Sequence, residues 1–439
     1  MGNIIIILSD QQRWDTVGCY VGNSVTPNID RMAEEGAFFA NAFTPQPVCG
    51  PARACIQTGL YATQTGCFVN DVPLREQAVT FPKLLRAQGY DTAYVGKWHL
   101  ASAVAHGEDY ITNAPPARRR GGFDYWMASD ALELTSDAYS GYVFNTDNQK
   151  VSFDGYRVNA IGDFALDYLD TRKNTEKPFL LFVSFIEPHQ QNSTNLVQPP
   201  IDFMEPLEYG IPKDFVEGVG NWACNLEAYM QCCRRIDDYV GKIIDRTKQL
   251  NLYKDTLFLY TSDHGCHFNT RCKDYKRTCH DASIRIPLVL CGGPFAYMGR
   301  RNDFASLVDI APTILAQAGC IIPSSMVGRN LAHRNREEDC AYVQISERCV
   351  ARAIRTPDFC YCVSNRHEDP IRASFSHVYE EAFLYDLALD PDEMNNVIAA
   401  VEYEGVRGVL RQKLMHCALQ AGEFIESIQP CGQGGKTGA

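Results

Sequence analysis

Ile4-Ile5-Ile6-Ile7-Leu8-Ser9-Asp10-Gln11 is an apolar run of strand length that stops at an acid and an amide. Five consecutive aliphatic side chains leave no polar face, the pattern of a strand covered on both sides. The run is too short to span a membrane, and it has neither a basic flank nor a cleavage site. Three more stretches repeat the pattern. Residues 92–95 end at Gly96-Lys97-Trp98-His99, residues 179–186 at Glu187-Pro188-His189, and residues 256–260 at Ser262-Asp263-His264-Gly265. Ligands of open α/β sheets bind beyond the carboxyl ends of the strands, so four strands ending in ionisable groups predict one shared cleft.

Helix-length amphipathic stretches separate these runs. Residues 28–38 and 80–88 read as helices stopped by Gly36 and Gly89, and residues 222–250 as a longer helix. The alternation predicts an α/β fold with a large mixed, mostly parallel sheet sandwiched by helices. Residues 101–155, rich in aromatic, Gly and Asp residues, read as loops over the cleft. Beyond about residue 331 the pattern changes to short strands at 341–345, 351–354 and 359–363 and a helix near 406–421. This implies a smaller C-terminal antiparallel α+β domain. The expected division is 1–335 and 336–439, with a flexible tail whose glycines imitate a phosphate loop without its strand-to-helix setting.

A chain of 439 residues with 45% hydrophobic content supports a large core. Its net charge of −12, with no long basic stripe, argues against nucleic acid and anionic membranes as partners. Eighteen cysteines without a C-x-x-C pair read as reduced, mostly buried thiols. The expected location is cytoplasmic, where Asn192-Ser193-Thr194 is an idle glycosylation sequon.

Asp10, Gln11, Asp263 and His264 offer hard oxygen ligands and one imidazole, a set suited to calcium, magnesium or manganese. The same strand-end carboxylates are equally suited to capping adjacent helices. Cys49-Gly50-Pro51-Ala52-Arg53 precedes a helix in which Pro51 takes an early-turn position, so Cys49 faces a helix N-terminus, a place that favours an anion or a nucleophile. Packing alone is the ordinary fate of such a cysteine.

Cys49-Gly50-Pro51-Ala52-Arg53 continuing to Thr58-Gly59 resembles the signature of the sulfatase family. In order along the chain it is joined by Ser9-Asp10-Gln11, Gly96-Lys97-Trp98-His99, Glu187-Pro188-His189, Ser262-Asp263-His264-Gly265, Lys276-Arg277-Thr278 and Ser283-Ile284-Arg285-Ile286-Pro287. Leu384-Tyr385-Asp386-Leu387 with Asp390-Pro391 and Glu393 is similar to the family's closing segment. The resemblance implies an alkaline-phosphatase-like fold and a sulfuric ester hydrolase that cleaves a sulfate monoester to alcohol and sulfate. It implies that a maturation enzyme oxidises Cys49 to formylglycine, the nucleophile, beside one divalent cation, calcium ahead of magnesium or manganese. The implied metal set is Asp10, Gln11, Cys49, Asp263 and His264, with Gln11 where many relatives have a second aspartate. Arg53 is implied to hold the formylglycine hydroxyl, and Lys97 and Lys276 to grip sulfate oxygens. His99 is implied to assist hemiacetal breakdown, and His189 to protonate the leaving alcohol.

The competing activity is a phosphonate monoester hydrolase or phosphodiesterase using the same site. A different class is an inactive sulfated-glycan-binding protein. The expected substrate is a small anionic sulfate ester, such as a sulfated sugar or aryl sulfate. His280 is a further candidate substrate contact. Arg118-Arg119-Arg120 reads as solvated loop charge, and Cys55, Cys266, Cys272 and Cys279 as packing.

Overall fold

The computed structural model describes residues 2–102, 107–173, 175–201, 206–333 and 339–431. Ten strands build the larger sheet: β1 (Asn3–Asp10), β2 (Ala37–Phe43), β3 (Asp91–Lys97), β4 (Tyr125–Ser129), β5 (Ser140–Asn145), β6 (Lys150–Asp154), β7 (Phe179–Pro188), β8 (Thr256–Ser262), β9 (Leu288–Cys291) and β10 (Gly299–Ser306). Their spatial order is β10-β2-β9-β8-β1-β7-β3-β4-β5-β6. The five strands from β8 to β4 are parallel, while β9 and β5 run against their neighbours.

β1 lies at the heart of the parallel block and every residue of it is buried. Successive side chains point to opposite faces, so Ile4, Ile6 and Leu8 enter one core and Ile5 and Ile7 the other. Helices Cys49–Thr58, Phe81–Ala87 and Ile310–Gln317 cover the first face through Ala52, Ile56, Leu85 and Ile314. Helices Pro27–Glu35, Arg157–Asp170 and Trp222–Gln249 cover the second through Ile29, Ile161, Leu169, Ile236 and Val240. Each buried aliphatic side chain of β1 contributes about 2 kcal/mol, which fixes the strand and with it the position of Asp10.

The sheet reaches further than the sequence pattern indicates. The helix expected over 28–38 ends at Glu35, and after Gly36 the chain runs straight into β2. A Cβ on Gly36 would stand 2.1 Å from the Leu290 carbonyl oxygen, so the close approach to β9 admits only glycine. The stretch 101–155, expected to be loops, supplies β4, β5 and β6 at one edge, with residues 103–106 outside the described residues. β6 alternates exposed and half-buried positions and carries too few apolar residues to announce itself.

A second sheet holds β11 (Ala341–Ile345), β12 (Val350–Arg355), β13 (Phe359–Asn365), β14 (Val378–Asp386) and β15 (Ser427–Gln429). The first four are antiparallel, and β15 joins β14 in parallel. Helix Glu404–Gln420 covers one face through Leu410, Leu414 and Ala418. The other face packs Val343, Ala353 and Cys360 against Phe43, Ile284 and Phe304 of the larger unit. The expected seam at 335/336 and the tail 432–439 lie outside the described residues.

Candidate active site

The ends of β1, β7, β8 and β3 lie side by side, which brings Asp10, His189, Asp263 and Lys97 to one rim of the sheet. Asp10 pairs in register with Pro188, and Ser9 with Ser262. At β3, a Cβ on Gly96 would meet the Ser184 carbonyl oxygen of β7 at 1.9 Å, and Gly96 takes φ +106°. Only glycine lets β3 close on β7 there and deliver Lys97 to the rim.

Cys49 opens helix Cys49–Thr58 and is 2% exposed. Its Sγ lies 3.4 Å from Asp10 Oδ1, 3.2 Å from His264 Nε2 and 3.0 Å from Lys276 Nζ. One turn along the same helix, Arg53 donates from Nη2 to Asp10 Oδ2 at 3.0 Å and from Nε to Asp263 Oδ2 at 3.2 Å. Its Nη1 reaches the Lys97 carbonyl and Ser184 Oγ, each at 2.7 Å. Both carboxylates are thereby pinned from the helix that carries Cys49.

Ligand atoms of Asp10, Cys49, Asp263 and His264 all lie within 4.8 Å of one another. Asp263 Oδ1 accepts from the Gln11 and His264 amides at 3.0 and 2.9 Å. The His264 Nδ1 lies 3.0 Å from the Gly265 carbonyl, which fixes the tautomer that leaves Nε2 with a lone pair. Gln11, at φ +69°, donates through Nε2 to Gln190 at 2.5 Å, while its buried Oε1 has no partner. Two carboxylates, an amide oxygen lacking a donor and an imidazole lone pair fit a hard divalent cation.

The charges around this cage shape it. Burial opposes ionisation of Asp10, yet Lys97 and Arg53 hold its pKa well below the usual range. Burial and the Asp10 charge push Asp263 the other way, to about 6. Burial also opposes the Cys49 thiolate, as does Asp10, but Lys276, Lys97 and His264 bring the thiol down. His189 donates from Nδ1 to the Gln190 carbonyl at 2.6 Å, and burial followed by Lys276 lowers it to about 4. His99, half-buried at φ +63°, is held by its own amide on the Asp130 carbonyl at 2.7 Å. Burial and Lys97 work against its protonation, yet a hydrogen bond with Cys49 and the charge of Glu133 raise it.

All ten sequence-derived site residues therefore meet: Asp10, Gln11, Cys49, Arg53, Lys97, His99, His189, Asp263, His264 and Lys276. His280 does not. Its Nε2 lies 3.0 Å from the Tyr385 hydroxyl, and its ring packs on Phe383 and Tyr385 of the smaller sheet. Arg118 and Arg119 pair with Glu76 and Glu108, and Arg120 bonds to the Pro115 and Thr146 carbonyls over Trp126. Cys266, Cys272 and Cys279 lie outside the four-residue ligand group.

Three supporting residues carry no motif. Glu133 takes a second hydrogen of Lys97 at 2.8 Å. Asp130 accepts from the amides of Leu100, Ala101 and Ser102 at 2.9, 2.9 and 2.8 Å and shapes the turn after His99. Glu347, between β11 and β12, accepts from Arg277 and from the Asn70 amide, each at 2.6 Å, and Asn70 in turn holds the Gly50 amide at 3.0 Å. Of these only Asp130 left a signal in the sequence, as the acid directly after β4, a fifth strand ending like the other four.

Three cations crowded around an acid and imidazole cage equip an enzyme that handles an anionic ester. The chain belongs to the sulfatase family: the family model matches residues 2–320, and a model described as the N-sulphoglucosamine sulphohydrolase C-terminal region matches residues 273–420. An ulvan-active sulfatase of Formosa agariphila is 29% identical over 97% of this chain and 82% of its own length. An N-acetylglucosamine-6-O-sulfatase of Bacteroides thetaiotaomicron is 25% identical over 94% and 85%. A solved yidJ protein of Bacteroides fragilis superposes with a TM-score of 0.83 at 25% identity, covering 96% of both chains. The protein is a sulfatase. Among the described residues no helix is long and apolar enough to cross a membrane.

Proposed function

We propose that the protein hydrolyses the sulfate monoester of a small sulfated sugar, using formylglycine made from Cys49. The observation that carries it is the meeting of Cys49 Sγ with Asp10, His264 and Lys276 within 3.4 Å. Asp10, Gln11, Asp263 and His264 would hold the divalent cation, with calcium first in order. A cation there, when bound, supplies positive charge for the oxygens of the ester. The hydrated aldehyde of residue 49 supplies an oxygen for attack on sulfur.

The chain's own residues do the rest. Arg53 fixes the direction of the attacking oxygen and of both carboxylates. Lys97 and Lys276 hold sulfate oxygens and stabilise the charge that builds on them. His189, its Nδ1 anchored on Gln190, presents Nε2 toward the leaving alcohol, and the charge of a bound sulfate group offsets the lysines that lower it. His99 removes the proton of the remaining hydroxyl so that sulfate departs and the aldehyde re-forms. A cytoplasmic setting suits the thiol-rich composition, and a maturation enzyme of the host is the required partner. Relatives named for ulvan and for N-acetylglucosamine 6-O-sulfate support a sugar as substrate.

The test is intact mass of the Cys49 peptide, followed by rates on an aryl sulfate, an aryl phosphonate monoester and sulfated monosaccharides. Conversion of Cys49 with preference for sulfate is the expected result. Faster phosphonate cleavage, or full activity of Cys49→Ala, would overturn it.

A further inference from the structure

Lys97 has two counter-ions where one would suffice. Its Nζ lies 2.8 Å from Asp10 Oδ2 and 2.8 Å from Glu133 Oε1, and Asp10 is already paired with Arg53 at 3.0 Å. Glu133 belongs to the short helix Leu132–Thr135 after β4, and its side chain is 9% exposed. Its Oε2 is buried with no hydrogen-bond partner. Burial opposes its charge, but Lys97 and His99 draw its pKa down to about 2, so it is a carboxylate throughout the neutral range. An anion so enclosed, with one oxygen unspent, is a costly way to tether a lysine that Asp10 already holds.

Its consequence lies in the sum of charges. Around the Cys49 thiol the carboxylates of Asp10, Asp263 and Glu133 face the cations Arg53, Lys97 and Lys276. The two sets balance. A divalent cation would then leave the pocket with two positive charges, matching sulfate, and one in excess of a sulfate monoester. Without Glu133 the pocket would hold a further positive charge against its own product.

We propose that Glu133 is a specificity-determining residue that sets the pocket's charge, so that a singly charged ester is accepted and doubly charged sulfate is released. The proposal rests on the sulfatase reading of the site. A carboxylate one ammonium away from a bound anion weakens its affinity by about tenfold per unit of anion charge in a partly buried site. Neutralising Glu133 therefore tightens sulfate about tenfold more than it tightens a singly charged analogue.

The experiment is calorimetric titration of the metal-loaded enzyme with sodium sulfate and with sodium methanesulfonate, a singly charged probe with no ester to cleave. Wild type is compared with Glu133→Gln, Glu133→Ala and Glu133→Asp. In the Gln variant the sulfate-to-methanesulfonate affinity ratio rises about tenfold, and sulfate becomes a stronger inhibitor of aryl sulfate turnover. Ala behaves alike, which keeps the test open should Gln not fold. Asp is too short to reach Lys97 but keeps the charge, so its ratio stays near wild type. An unchanged or lower ratio in both neutral variants overturns the proposal, as does an Asp variant that follows them. Failure of the wild type to bind either probe would instead overturn the sulfatase reading beneath it.

Discussion

Replacing Arg53 by methionine tests the architecture of the site without any substrate. The guanidinium joins Asp10 at 3.0 Å and Asp263 at 3.2 Å, and all three side chains are within 2% of full burial. Removing one partner of a buried ion pair costs about 3–5 kcal/mol, because an unpaired charge is left in a low dielectric. Lys97 still serves Asp10 at 2.8 Å, so the loss falls chiefly on Asp263 and sits near the lower limit, about 3 kcal/mol. The sign of its pH dependence follows from Asp263. Its pKa is already raised to about 6 and rises further without Arg53, so the folded variant takes up a proton at higher pH than the unfolded chain does. Proton uptake by the folded state restores stability as pH falls, and the deficit is greatest in alkali. Urea unfolding with chelator at pH 8 and pH 5.5 measures it. The expected loss is about 3 kcal/mol at pH 8 and about 1 kcal/mol at pH 5.5. Calcium should then stabilise the variant more than the wild type, since a competing cation has been removed. A loss below about 1 kcal/mol at pH 8, or an equal loss at both pH values, would refute the bridging role.

Gly96→Ala places a methyl group 1.9 Å from the Ser184 carbonyl at φ +106° and should cost about 3 kcal/mol or more, read by urea unfolding. His189→Ala should leave aryl sulfates, whose leaving group needs little proton assistance, within about tenfold of wild type and slow alkyl sulfates about a thousandfold. His267 is buried, which lowers its pKa to about 4, with its Nε2 3.2 Å from the Lys276 carbonyl. The unfolded chain therefore binds the extra proton between pH 6.5 and 4, stability falls through that window, and a His267→Asn variant should show a shallower acid slope in thermal melts. Cys340 and Cys417 stand 3.8 Å apart, Sγ to Sγ, so mild disulfide oxidants should join them; closing so long a loop should raise the melting temperature.

The site was more legible in the sequence than the sheet that carries it. Asp10, Lys97, His189 and Asp263 announce themselves because each ends a buried strand, and a buried strand of a parallel sheet is written as an unbroken apolar run. β2 was hidden because Ala37 and Phe38 extend the apolar period of the preceding helix, and only the tight passage of Gly36 against Leu290 ends it. β14 carries Glu380 and Glu381 in its midst, and Glu381 is buried only because Arg407 and Arg411 meet it from the covering helix. A partner 26 or 30 residues away leaves no local trace. Glu133 escaped for the same reason: its meaning lies in Lys97, across two strand ends, and nothing beside it in the chain refers to that lysine.

Glu347 gives the smaller sheet a hand in the chemistry. By gripping Arg277, next to Lys276, and Asn70, which holds the Gly50 amide, one hairpin carboxylate joins those two segments like a tie-rod. A catalytic fragment trimmed to the ten-stranded sheet alone would lose that brace on both the nucleophile and its lysine. The compact half-enzyme that the strand order invites is therefore a poor target for minimisation, and swapping C-terminal units between relatives will succeed only where the hairpin acid travels with them.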